Sequence, residues 1–160
     1  MKSNSKIFSP IFIIMMLFIL CGQSLGQDVA SKDECVAKVK EVVKAIHEIG
    51  IDAVYEKVSD FTGPYVWKDS YVFCADNDQA KMVAHPYPPA VGMDFINWED
   101  TDGKKPFVDI LKIANSKGKG WKSYMMFPKP GAPKPLLKTI YFELEPESKI
   151  IVGAGYFKYE

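Results

Sequence analysis

The sequence predicts an α+β domain: a long N-terminal helix packed on a five-stranded antiparallel sheet. Three observations carry that prediction. Ser31-Lys32-Asp33-Glu34 has the form of a capping box and opens an amphipathic run. From residue 65 onward, segments rich in aromatic and β-branched residues alternate with short turns. One helical stretch, from Pro106 to Lys117, interrupts them. Strands joined by short turns pair antiparallel, and helices then gather on one face, giving a two-layer arrangement.

Each element has its own signal. Val36, Val39, Val43 and Ile46 recur at three- and four-residue spacing, with Lys38, Lys40, Glu41 and Lys44 between them. Gly50 interrupts this helix, and Asp52 restarts a shorter one through Ala53, Val54, Tyr55 and Val58. Gly63-Pro64 is a turn. Tyr65 to Ala75 reads as one strand, Asp76 to Gln79 as a turn, and Lys81 to His85 as the hairpin partner. Pro86, Pro88 and Pro89 each remove a backbone donor and restrict the residue before them, so an extended loop follows. Such loops line sites more often than cores. Pro106 suits a first helical turn and Gly118 a C-cap. Gly120 to Phe127, Lys138 to Leu144 and Lys149 to Phe157 read as three further strands.

The N-terminus reads as a signal peptide, residues 1–26. Lys2 and Lys6 precede an apolar stretch from Ile7 to Leu20, and Ser24-Leu25-Gly26 supplies the small residues of a cleavage site. The apolar run is shorter than the roughly 20 residues of a spanning helix. Phe18-Ile19-Leu20 before Cys21 is too bulky for a good lipobox. Residues 27–160 are then one exported domain, periplasmic or secreted, large enough for a real core.

That domain carries 18 lysines against 20 acidic residues, a formal charge of −2. No basic excess exists to draw nucleic acid or an anionic membrane surface. The chain has no arginine. A carboxylate or phosphate ligand would therefore be held by Lys, Tyr, His or backbone N–H groups and not by a guanidinium fork. Cys35 and Cys74 would meet an oxidising compartment, where they either form a disulfide or pack as two small hydrophobes.

Catalytic signals are weak, and the sequence is read as a non-enzyme with no cofactor. No Gly-x-Ser-x-Gly occurs, and Ser70 and Ser123 fall on strands with no elbow around them. There is no His-x-x-x-His and no Cys-x-x-Cys, so no metal site is expected. Asp100-Thr101-Asp102-Gly103 is read as a turn, because in a calcium-loop register Trp98 would hold the first ligand position and Asp109 the twelfth. His47 is taken as a surface residue. Gly153 and Gly155 frame Ala154 on the last strand, where glycine implies that something approaches closely; the N-terminal helix is the favoured candidate over a ligand.

Several segments, in order, resemble the single Cache domain, a PAS-like extracytoplasmic sensor module of the second type. They are Phe61-Thr62-Gly63-Pro64-Tyr65-Val66-Trp67-Lys68-Asp69-Ser70-Tyr71-Val72-Phe73, Met82-Val83-Ala84-His85-Pro86, Asp100-Thr101-Asp102-Gly103-Lys104, Gly120-Trp121-Lys122-Ser123-Tyr124, Lys138-Thr139-Ile140-Tyr141 and Ile151-Val152-Gly153-Ala154-Gly155-Tyr156. The resemblance implies a PAS-like sheet and reversible binding of a small polar molecule, a small carboxylate first. It implies a pocket over one sheet face, with Tyr71, Phe73, His85, Trp121, Tyr124, Lys138 and Tyr141 as ligand-binding residues. Lys138 is the cation chosen for an anionic group. Cache domains serve signal transduction and chemotaxis, most of them joined by a membrane helix to a signalling module. This sequence stops at Glu160, just after the last predicted strand, so signalling is expected to run through a partner such as a membrane receptor or kinase. A homodimer through the N-terminal helix is a further expectation. The alternative function is a structural or dimerisation module that binds no ligand.

Overall fold

The computed structural model describes residues 28–128 and 132–159. The predicted signal peptide lies outside the described residues. Helix α1 spans Lys32–Ile49 and α2 spans Ile51–Ser59. Strands β1 (Val66–Trp67), β2 (Ser70–Asp76) and β3 (Met82–Ala84) follow, then two short 3-10 turns at Pro88–Ala90 and Phe95–Asn97. Helix α3 (Pro106–Lys117) leads into β4 (Lys119–Met126), β5 (Leu136–Glu145) and β6 (Ile150–Lys158). The sheet is antiparallel with strand order β1-β2-β6-β5-β4, and β3 pairs with β2 beside that path. No described helix is long and apolar enough to cross a membrane.

The capping box is present: Ser31 Oγ accepts from the Glu34 amide at 3.2 Å and Glu34 Oε2 from the Ser31 amide at 2.7 Å. Gly50 separates α1 from α2 at φ 84°, a conformation that a side chain would strain. Pro106 opens α3 and Gly118 closes it. The acidic turn after residue 99 is a turn as expected. Asp100 accepts backbone N–H groups of Asp102, Lys104 and Met125 at 2.9–3.2 Å.

Three expectations are corrected. The segment Tyr65 to Ala75 is not one strand. It folds at Lys68-Asp69 into the β1–β2 hairpin, with Lys68 at φ 50°. Asp69 anchors that turn by accepting the Ala30 amide at 2.7 Å and the Tyr159 hydroxyl at 3.0 Å. This hairpin makes the sheet six-stranded where five strands were expected. The helices do not gather on one face. Helices α1 and α2 cover one side with Val72, Cys74, Tyr141, Val152 and Ala154, while α3 covers the other with Phe73, Ala75, Ile140, Phe142 and Ile151. The period-two alternation of β2, β5 and β6 divides their side chains between the two cores.

Cys35 and Cys74 are both free, both buried, and both in the α1/α2 core. The structure therefore shows two packed thiols where a disulfide was one of two expectations. Burial pushes their thiols up, Cys35 to about 11 and Cys74 to about 12.

The close approach at Gly153 and Gly155 is made by neighbouring side chains, not by the N-terminal helix. A Cβ on Gly153 would collide with the Phe73 ring, and one on Gly155 with Ile140 and with Lys138 Cε.

Candidate functional site

The α3 side of the sheet is not filled. It leaves a cavity of about 210 Å³ lined by Tyr71, Met82, His85, Tyr87, Ala90, Met93, Phe95, Trp98, Phe107, Tyr124 and Met126. The floor comes from β2, β3 and β4, one wall from α3, and the roof from the loop after His85. Pro86, Pro88 and Pro89 explain why the chain leaves the sheet there: none can donate to a ladder. The loop is then tied back along β3. Gly92 N–H donates to Met82 O at 2.7 Å, Met82 N–H to Met93 O at 2.9 Å, and Phe95 N–H to Ala80 O at 3.2 Å. This folds Phe95 and Trp98 onto α3 and β4, with ring centroids 5.0 Å from Phe95 to Phe107 and 5.5 Å from Trp98 to Tyr124.

The polar groups at this cavity form a short chain. Lys138, only 1% exposed, donates from Nζ to the Tyr71 hydroxyl at 3.0 Å. Its ammonium also lies 4.1 Å from the Tyr71 ring centroid and 5.1 Å from that of Phe157. The absence of a Cβ at Gly155 leaves room for this side chain. Tyr71 meets His85 edge-on with ring centroids 4.7 Å apart. His85 Nδ1 accepts the Tyr87 amide at 2.8 Å, so the neutral ring carries its hydrogen on Nε2. Burial, and then the charge of Lys138, pushes His85 down to about 4. Tyr124 is held well above the ordinary phenol value by burial, and among the described residues no hydrogen bond reaches its hydroxyl.

The electrostatic character of the site follows. Lys138 forms no ion pair with a described carboxylate. A buried charge without a counter-ion is costly, by several kcal/mol per ion after relaxation. Lys138 Nζ, the Tyr71 hydroxyl, His85 Nε2–H and the Tyr124 hydroxyl can all donate, and among the described residues no carboxylate lines the cavity. A small group rich in acceptors, one end apolar, matches such a lining.

The seven residues expected at the site separate into three sets. Tyr71, His85 and Tyr124 line the cavity, and Lys138 is one layer behind Tyr71. Phe73 is on the same face but packs beneath, 6.2 Å from Phe107, without lining it. Trp121 and Tyr141 are on the opposite face. They pair directly across β4 and β5, 5.0 Å apart at their ring centroids, and face α1, where Lys32 sits over Trp121 at 5.1 Å. Alternation along β4 already forbids Trp121 from sharing a face with Tyr124. The residues the sequence reading missed are Met82, Tyr87, Ala90, Met93, Phe95, Trp98, Phe107 and Met126. Pro86, Pro88 and Pro89 are the sequence signal for a site-lining loop, and Met126, two positions after Tyr124, has the right parity.

Among the described residues one group offers metal-ligand geometry: His47, Glu145 and Glu147 have ligand atoms within 4.8 Å of one another. Glu145 is fully buried and already accepts from the Glu147 and Ser148 amides and from the Ser148 hydroxyl. These bonds cap the β5–β6 turn, and the group shares no residue with the cavity.

A Cache domain family model matches residues 31–159, and the chain belongs to that family. A stretch of 78 residues, 48% of this chain, is 33% identical to the methyl-accepting chemotaxis protein McpP of Pseudomonas putida. It spans 14% of that receptor's length. Among solved structures, the periplasmic sensor domain of a chemotaxis protein is 23% identical with a TM-score of 0.60, over 78% of this chain and 88% of that one. A Cache chemosensory domain studied for carboxylic acid recognition gives 24% and 0.60, over 77% and 85%. A methyl-accepting chemotaxis protein from Vibrio parahaemolyticus gives 21% and 0.61, over 79% and 87%. At these identities the structural likeness is one of fold, α+β and PAS-like.

Proposed function

We propose that this domain reversibly binds a small carboxylate, or a similarly small polar metabolite, in the cavity beneath the proline loop, without transforming it. The observation that carries this reading is Lys138: a buried cation with no carboxylate partner among the described residues, donating to a tyrosine hydroxyl at the cavity wall. A carboxylate could accept from Tyr71, from His85 Nε2 and from Tyr124 while its apolar remainder meets Met82, Met93 and Phe95. The fold likeness to a domain studied for carboxylic acid recognition supports the same ligand class. We take residues 1–26 as an export signal, so ligand and site meet outside the cytoplasm, and occupancy is passed on through a membrane receptor or kinase.

The test is a thermal-shift screen of the purified protein against small carboxylates, amino acids, amines and purines. A ligand at 100 times its Kd stabilises the fold by about 2.7 kcal/mol, which raises Tm by several degrees in a domain of this size. A carboxylate shift that disappears in Lys138→Met supports the reading. A cooperative melt that no compound moves, together with a mass that grows with concentration, favours the dimerisation module instead.

A further inference from the structure

His85 has one place for a second proton. Its Nδ1 accepts the Tyr87 amide at 2.8 Å, so any proton taken up must land there and displace that N–H. Tyr87 begins the proline loop that roofs the cavity, and at 57% exposure its own side chain does little to hold it down. Protonation of this ring and release of the near end of the loop are therefore one event.

The surroundings of the ring decide when that event occurs. Tyr71 of β2 meets it edge-on, and Tyr124 reaches the same cavity from β4. Lys138 of β5 is the charge that acts on it, and among the described residues no carboxylate does. Helix α3 presents Phe107 to this cavity. With the site empty, burial and Lys138 hold the ring neutral down to about pH 4.

We propose that an anion bound in this cavity draws a solvent proton onto His85 Nδ1 and thereby frees the Tyr87 end of the loop, so that the site reads its ligand and acidity together. This rests on the carboxylate reading above. A bound carboxylate offsets the Lys138 charge that opposes protonation, and its own charge beside Nε2–H favours the imidazolium. Both effects act in one direction. An opposite charge in contact raises such a group by about 1–3 pH units. A rise of about two units predicts roughly fourfold tighter binding at pH 5.5 than at pH 8, with about half a proton taken up per ligand near pH 6.

The experiment is calorimetry of propionate binding to the purified protein at pH 6 and pH 8, each in two buffers of different ionisation heat. His85→Asn is run beside it, because an Asn oxygen still accepts the N–H two residues on but has no basic nitrogen. Expected are proton uptake at pH 6 and none at pH 8 in the natural protein, and no uptake at either pH in the variant. Ring nitrogen chemical shifts of His85 report the same event without a substitution: Nδ1 changes from acceptor to N–H when propionate is added at pH 6. Binding of equal strength at both pH values with no uptake overturns the coupling and leaves the carboxylate reading standing. Uptake that persists in His85→Asn overturns the assignment to His85. Absence of propionate binding at either pH overturns the carboxylate reading and the coupling with it.

Discussion

The two faces of the sheet are built from the same strands and do different work. Toward α1 and α2, β6 presents Ile150, Val152 and Ala154, which pack with Val39, Val42, Val54 and Val58 into one buried cluster. Toward α3, the same strand presents Gly153 and Gly155, and the space they leave is taken by Phe73 and the Lys138 stem. One side packs branched residues of the helices under a Tyr65, Trp121 and Tyr141 rim; the other gathers Phe, Tyr, Trp and Met side chains and leaves a cavity beside a buried cation. The difference teaches where each demand is met. On the proposed reading, the α1/α2 core can be packed for stability because the opposite face carries the unfilled space and a charge with no ion-pair partner among the described residues.

The largest expected effect breaks that contrast by removing the charge. Lys138→Met keeps the stem that packs over Tyr71 and Phe157 and deletes the ammonium. Truncating one partner of a buried charge pair costs about 2–5 kcal/mol of binding, so the carboxylate response should vanish in a thermal-shift titration. The ligand-free variant should melt no lower than the natural protein, because the deleted charge has no counter-ion among the described residues. A ligand-free variant that melts much lower would show Lys138 to be structural.

Acid should separate the faces next. The free His85 ring is near 6.5 when unfolded and is held to about 4 in the fold. Between those values the unfolded chain binds a proton that the folded one does not. Stability is therefore fully present above pH 6.5 and lost as pH falls toward 4, by about 2–3 kcal/mol at pH 4.5. Urea midpoints at pH 7.5 and pH 4.5 should fall further in the natural protein than in His85→Asn, which lacks this term. A smaller effect compares matched truncations. Val152→Ala, in the closed core, should cost about 2 kcal/mol. Met93→Ala, at the cavity mouth and 48% exposed, should change stability by less than about 0.5 kcal/mol. Equal costs in urea unfolding would mean the cavity side is as tightly packed as the other.

The sequence made most of the fold legible because its signals were local. The capping box of α1, the Pro106 start and Gly118 end of α3, and the hairpin of β5 and β6 all follow from residues a few positions apart. The break at Lys68-Asp69 was not legible, since Asp69 has no Gly or Pro beside it and is flanked by aromatic and β-branched residues that read as strand. It is held by Ala30 and Tyr159, 39 and 90 residues away in the chain. At the site, Tyr71, His85, Tyr124 and Lys138 came from the family resemblance. The same resemblance put Phe73, Trp121 and Tyr141 beside them, but parity decides which face a side chain meets, and it turns Trp121 and Tyr141 toward α1. Met93, Phe95 and Trp98 reach the cavity only through the loop's hydrogen bonds to β3 and Ala80, which no local pattern announces.

A hydroxyl deletion tests parity directly. Tyr124 and Trp121 are three residues apart on β4, with Tyr124 toward the cavity and Trp121 toward α1. Tyr124→Phe removes one hydroxyl and keeps the ring against Trp98 and Phe107. If that hydroxyl donates to the bound carboxylate, its loss should weaken binding by about 1.5–3 kcal/mol when the acceptor is charged, and by about 1 kcal/mol if water replaces it. Trp121→Phe should leave the Kd unchanged, since the sheet separates it from the cavity, and should instead lower Tm through lost contact with Tyr141 and Lys32. The two variants titrated with the same carboxylate give a direct reading. A Kd that moves with Trp121 and not with Tyr124 would place the ligand on the α1 face, and the comparison between the two sides would have to be reversed.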